Sequence, residues 1–227
     1  MFPRLCCLLL IFSLSFTSCV RQTLTSMQIT SLQAVDLEET LTRGDELMIA
    51  FSLTSFNAAG KAVAVSNGSW GIVEAKTGQV FPGKDFMPIQ IPLPKNGRVV
   101  ATLALVEVDD YAQAQKTLAA IRKYHDFIKI PAALAELADV ALTPLKYLSL
   151  GLSVAGVGFQ LADRLDADDI LGLNSTELSY QKALANPTLK VPLTFKDSHL
   201  KSSYHYELTY NLRSQMVKVN SRTKPKS

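Results

Sequence analysis

The segment 99–172 constrains the fold of this chain more than any other part of the sequence. It opens with an alternation of apolar residues over Val99–Val108, the pattern of a half-buried β-strand, which ends abruptly at Asp109-Asp110. Beyond this pair, apolar residues recur at helical spacing until a second acidic cluster near Asp169. We therefore predict a helical insertion over residues 111–162 that is bracketed by two acidic loops, with Asp110 capping its first helix.

Short apolar segments separated by turn residues occupy most of the remaining chain. Because such spacing is typical of antiparallel sandwiches, residues 28–216 are predicted to be mainly β, an antiparallel β-sandwich of about eight strands with the helical insertion in one end loop. Asn67-Gly68 lies between two apolar runs, and Asn-Gly accepts the positive φ values of tight turns, which predicts a β-hairpin there. Strict alternation over Tyr204–Leu212 places its even-numbered residues on one face.

The N-terminus carries the most specific signal in the sequence. Arg4 supplies a positive charge, residues 5–16 form a short apolar run, and the small pair Thr17-Ser18 precedes Cys19. The apolar run is shorter than the roughly twenty residues that a membrane-spanning helix needs. The pattern resembles a bacterial lipoprotein signal, which implies cleavage before Cys19 and attachment of acyl chains such as palmitate to that residue. The alternative is an ordinary secretory signal in which Cys19 has no special role.

The lipoprotein resemblance also implies a domain order and a location. The other two cysteines lie in the signal peptide, residues 1–18, so the mature chain keeps only Cys19 and has no disulfide framework. Residues 19–27 are predicted to be a lipidated tether, and residues 217–227 a basic flexible tail. The chain would then lie in the bacterial cell envelope, anchored to a membrane through Cys19. Val20-Arg21 after the cysteine favours the outer membrane over the inner membrane.

The acidic loops resemble those of C2 domains, which are calcium- and lipid-binding β-sandwiches. The strand that closes in Val-x-Val-Asp, followed by Asp163-Arg164 and then Asp169-Ile170-Leu171-Gly172, resembles the third loop of that family. Gly44-Asp45 before an apolar strand, with Glu39 six residues earlier, resembles its first loop. The resemblance implies a C2-like fold in which acidic side chains converge at one end of the sandwich and bind Ca²⁺. The predicted ligands are Glu39, Asp45, Asp109, Asp110, Asp163 and Asp169.

Calcium chemistry suits such a set, but ordinary roles explain the same residues. Ca²⁺ takes about six to eight oxygen ligands, and loops from adjacent strands can bring several carboxylates together. In the alternative, Asp110 is only a helix cap, the other acids are turn and solvated loop residues, and no cofactor is required.

The charge and the motifs of the sequence argue against several classes of function. The net charge of +3 is small and its lysines and arginines are scattered, which argues against a nucleic-acid partner. None of the three histidines has a metal-ligand spacing, and neither a nucleophile elbow nor a phosphate-binding glycine loop occurs. We predict a non-enzymatic binding module whose helical insertion contacts a protein partner. The alternatives are a calcium-dependent membrane-surface module and a hydrolase that uses His199 or His205 beside carboxylates.

Overall fold

The computed structural model describes residues 20–37, 44–122, 128–130, 170–198 and 203–219. Within these ranges, ten strands form two five-stranded sheets whose paired strands all run antiparallel. The prediction of a mainly β, antiparallel β-sandwich is therefore confirmed.

Sheet A is organised by its two longest strands, β1 (Val20–Asp36) and β10 (Ser203–Val219), which pair along their whole length from Val20 opposite Val219. On the other side of β10 lies β9 (Thr188–Ser198). Two short strands, β4 (Val80–Pro82) and β5 (Ile89–Leu93), both pair with β1 on its other side. A single 3₁₀ turn at Gly83–Asp85 connects these two short strands.

Sheet B has the strand order β7-β3-β2-β6-β8. Its centre is formed by β2 (Asp45–Phe56), which pairs with β3 (Ala62–Ala75) on one side and β6 (Arg98–Glu107) on the other. The outer strands are the short β7 (Ile128–Lys129) and the longer β8 (Ile170–Ser179).

The core lies between the inner faces of the two sheets. Strand β10 contributes its even-numbered residues Tyr206, Leu208, Tyr210 and Leu212, all buried, as the alternation in the sequence predicted. They pack in one cluster with inward residues of β2 and β6, which alternate with outward ones along each strand.

The first predicted helix is present, and it begins where the sequence indicated. Helix α1 (Tyr111–Arg122) follows Asp109-Asp110 directly, and the backbone N–H of Ala114 donates to the Asp110 carbonyl at 2.9 Å. Leu118 and Ile121 of α1 pack on the outer face of sheet B. A second helix, α2 (Tyr180–Ala185), connects β8 to β9. The prediction is wrong at Ile128–Lys129, which form strand β7 because they pair with β3, and residues 123–127 and 131–162 of the predicted insertion lie outside the described residues.

None of the helices that the structure describes combines the length and the hydropathy needed to cross a membrane.

The predicted hairpin at Asn67-Gly68 is wrong. These two residues lie in the middle of β3, fully buried, and they pair with Ser52 and Phe51 of β2. Gly68 is required here because a Cβ at this position would overlap the ring of Phe51. The turn between β2 and β3 is formed earlier, where Asn57 Oδ1 accepts the N–H groups of Ala59 and Lys61, each at 3.0 Å. Pairing and packing with the neighbouring strand β2 thus override the local preference of Asn-Gly for a turn.

The structure also differs from the predicted tether and tail. From Val20 onward, the segment predicted as a tether belongs to β1, and Thr23, Thr25 and Met27 are buried. At the other end of the chain, β10 continues to Val219, into the predicted tail. The physical reason is that each segment supplies the other with backbone partners, and Thr25 Oγ1 lies 2.9 Å from Ser214 Oγ between them.

Candidate functional site

Three of the six predicted metal ligands lie within the described residues, at one end of the sandwich. Asp45 opens β2, and Asp109 and Asp110 follow β6, the neighbour of β2 in sheet B. The backbone N–H of Val108 donates to the Glu46 carbonyl at 2.8 Å, which holds the two strand ends together. The remaining ligands Glu39, Asp163 and Asp169 lie outside the described residues, as does the predicted lipid attachment site Cys19.

The three described acids differ in environment. Asp45 is 0% exposed and accepts a hydrogen bond from the hydroxyl of Tyr206, which is also 0% exposed. A buried carboxylate is tolerated because it is hydrogen-bonded, and this bond connects sheet B to sheet A. Asp109 and Asp110, in contrast, are exposed. Within the described ranges, no three His, Cys, Asp or Glu side chains are grouped so that they could hold a metal. The calcium site stays a prediction.

A second buried tyrosine connects the two sheets near the middle of the core. The Tyr210 hydroxyl lies 2.7 Å from Thr176 Oγ1 and 3.0 Å from Asn174 Oδ1, both on β8. Burial raises the pKa of Tyr210 to about 12, and the hydrogen bond to Thr176 only partly offsets this increase. The alternation in the sequence identified the buried face of β10, but it carried no signal for these partners on the opposite sheet.

For the hydrolase alternative, the structure describes one of the two histidines, His205. His205 Nε2 lies 3.6 Å from Glu207 Oε1, and both side chains are partly exposed on sheet A. His199 lies outside the described residues. A cavity of about 330 Å³ lies between α1 and β3, and its described lining residues include neither a histidine nor a carboxylate. It is lined by Gly71, Ile72, Tyr111, Gln115, Leu118 and Ala119.

The end of the sandwich where β1 begins and β10 finishes carries mainly positive charge, and we call it the basic end. It includes the starts of β3, β6 and α2 and the short strand β7. Its described cations are Arg21, Lys61, Lys95, Arg98, Lys129, Lys182, Arg213 and Lys218. The described carboxylate at this end is Glu177, whose Oε2 lies 3.3 Å from Arg98 Nε.

The opposite end, where β2 begins and β6 finishes, carries mainly negative charge, and we call it the acidic end. Its described carboxylates are Asp36, Asp45, Glu46, Glu74, Glu107, Asp109, Asp110, Asp197 and Glu207. The described lysines at these strand ends are Lys76 and Lys196. Within the described residues, the charged side chains are therefore separated into two oppositely charged ends, which the net charge of the whole chain does not indicate.

No family model matches the chain, and no curated protein shows significant similarity to it. Among solved structures, the chain is similar to a C2 domain of a plant extended synaptotagmin 1, with 8% sequence identity and a TM-score of 0.33. The similarity covers 82% of this chain and 92% of that domain. It concerns the fold alone and does not indicate what this chain binds.

Proposed function

We propose that this chain is a lipid-anchored protein of the bacterial cell envelope whose β-sandwich acts as a non-enzymatic binding module. The observation that carries this proposal is the position of Cys19 relative to the fold. Strand β1 begins at Val20, so an acyl chain on Cys19 would join the sandwich directly at its basic end. A domain attached in this way would present a basic surface to the phosphate groups of its own membrane.

The sequence before β1 supports the same proposal. The short apolar run and the small residues before Cys19 suit a cleaved signal, and the one cysteine of the mature chain would be the lipidated one. Acyl chains add about 0.8 kcal/mol of membrane affinity per buried methylene, so two or more chains hold a domain stably at a bilayer. The sandwich itself would then need no apolar membrane-binding surface of its own.

Acyl labelling of the full chain expressed in a Gram-negative host tests the anchor. We expect radiolabelled palmitate to enter the wild-type protein and the protein to fractionate with membranes. Cys19→Ser should abolish both the labelling and the membrane association. Cys7→Ser, a matched change inside the predicted signal, should leave both intact. Labelling that persists in Cys19→Ser, or a wild-type protein without acyl label, would contradict the proposal.

A calcium-dependent membrane-surface module is the second candidate. It is favoured by the acidic end, where nine described carboxylates face only two described lysines. A bound divalent cation would offset the repulsion among these acids and could bridge to phosphate groups. In this case Asp109 and Asp110, which are exposed, would be available to a cation, whereas Asp45 lies in the interior.

A further inference from the structure

From the placement of charge we infer that the basic end is a docking surface for the anionic headgroups of a phospholipid membrane. The sandwich would stand on its membrane with β1 and β10 pointing away from the bilayer and the acidic end farthest from it. This inference rests on the proposed lipid anchor at Cys19, but its test below does not depend on acylation.

The clearest local feature is a pair of like charges. Arg21 of β1 and Lys218 of β10 are directly opposite each other in the antiparallel register, and both are exposed. Like charges in such a pair repel each other unless an anion lies between them. The described ends of the two strands, 20–28 and 211–219, contain no acidic residue that could supply this anion. A phosphate group from outside the chain would supply it.

An exposed apolar side chain lies beside this pair. Met216 is directly opposite Thr23 and is 57% exposed, one of the largest exposures of an apolar residue in the described chain. Since side chains two residues apart share one face of a strand, Met216 lies on the same face as Arg21 and Lys218. Cations beside a flexible apolar side chain match the boundary between headgroups and acyl chains, where the charges meet phosphate and the thioether meets hydrocarbon.

The short distance to the anchor brings this surface to the membrane. At about 3.3 Å per residue, Arg21 lies within roughly 7 Å of chain from Cys19, which is inside the range of the membrane's surface potential. Asp36, at the other end of β1, is about 55 Å from Cys19 by the same rise. The acidic end is therefore screened from the anchoring membrane. Whatever binds there, cation or protein, would approach from the opposite side.

Vesicle binding by the mature chain without acyl groups tests the surface. The protein would consist of residues 19–227 with Cys19→Ser, which retains all ten strands of both sheets. We expect it to cosediment with phosphatidylcholine vesicles only when they contain phosphatidylglycerol, and to lose this binding as salt increases. Arg21→Gln with Lys218→Gln should lower the partition coefficient about 25-fold, since each cation near such a surface contributes about fivefold.

A second double variant distinguishes an effect of where the cations lie from an effect of the net charge. Lys76→Gln with Lys196→Gln removes the same charge from the acidic end, and should change the partition coefficient by no more than about twofold because of screening. Equal losses in the two double variants would show an effect of net charge alone and would overturn the inference. So would an unchanged partition coefficient for the Arg21 and Lys218 variant.

Orientation can be measured on the acylated full chain. Fluorophores attached at Lys95→Cys, on the basic end, and at Glu74→Cys, on the acidic end, would report contact with nitroxide-labelled headgroups. We expect strong quenching at position 95 and little at position 74. The reverse pattern, or equal quenching, would contradict the orientation. A protein that is acylated but shows no such preference would refute this inference while leaving the proposed lipid anchor intact.

Discussion

Replacing Tyr206 by phenylalanine removes one hydroxyl group and leaves the ring that packs in the core. That hydroxyl donates to Asp45, and both residues are 0% exposed, so the carboxylate cannot turn to solvent for a replacement donor. A buried polar group that loses its partner costs about 1–3 kcal/mol, and we expect a loss of about 2 kcal/mol in the free energy of unfolding. For a domain of this size, such a loss lowers the melting temperature by roughly 4–8 °C.

The fluorescence of a natural tryptophan can be used to measure the free energy of unfolding. The single tryptophan of the chain, Trp70, is buried between Phe81 and Phe86, with ring centroids 4.8 and 5.0 Å away, so its fluorescence should report unfolding in urea. Tyr111→Phe is the matched control, since the Tyr111 hydroxyl accepts a hydrogen bond from Gln115 on an exposed surface of α1. If Tyr206→Phe unfolds within about 0.5 kcal/mol of that control, the buried bond does not contribute as argued.

Substitution of Asp45 distinguishes two possible roles for this residue, a hydrogen-bond acceptor in the core and a calcium ligand. As an interior acceptor, Asp45 stabilises the fold whether or not calcium is present, so Asp45→Ala should lower the urea midpoint even in excess chelator. A residue that served only as a metal ligand would leave the chelated protein unchanged. An unaltered midpoint for Asp45→Ala in chelator would therefore return this residue to the predicted calcium site.

Three further predictions follow from the core and from the acidic loops. Because folding raises the pKa of Tyr210 from 10.0 to about 12, the stability contributed by its protonated hydroxyl is complete below pH 10 and is lost as the pH rises to 12. Urea titrations should show a decrease of about 2–3 kcal/mol in the free energy of unfolding over this range, and Tyr210→Phe should remove this decrease. A free energy of unfolding with the same pH dependence in the two proteins would contradict the prediction. Gly172→Ala should destabilise the sandwich by about 1–3 kcal/mol, because the new Cβ would overlap the ring of Phe195, and an unaltered midpoint would place that ring elsewhere. For the calcium alternative, Ca²⁺ at a hundred times its dissociation constant should add about 2.7 kcal/mol of stability, abolished by Asp163→Asn with Asp169→Asn; no shift at any calcium concentration would remove that alternative.

Local patterns predicted the features that depend on local geometry. The alternation in β10 identified its buried face because a strand fixes side-chain direction with a period of two. The start of α1 after Asp110 was predicted correctly because a cap acts on the next few residues. The hairpin predicted at Asn67-Gly68 was wrong because the conformation of this pair is set by the neighbouring strand β2, where the ring of Phe51 fills the space that a side chain at Gly68 would occupy.

The features that bear on function depend on partners distant in sequence. The sequence predicts Asp45 as a loop ligand and contains no signal for its hydrogen-bond donor Tyr206, which lies 161 residues later in the chain. The two charged ends could not be predicted either, because cations and carboxylates are interspersed along the sequence. Only the directions of the strands place them in separate regions. The net charge of +3 over the whole chain gives no sign of this separation.

The pairing of β1 with β10 sets the order in which this molecule can assemble. Val20 has its partner at Val219, so the central strand pair of sheet A cannot form before almost the whole chain has been synthesised. Pairings this distant in sequence form slowly. If the protein is exported, β1 would leave the translocation channel first and β10 last. The side of β1 that pairs with β10 would therefore stay unpaired until export is nearly complete. The threonines, serines and glutamines of β1 would keep the strand soluble during this interval. The same polar composition that led to the prediction of a tether would thus limit aggregation until β1 pairs with β10.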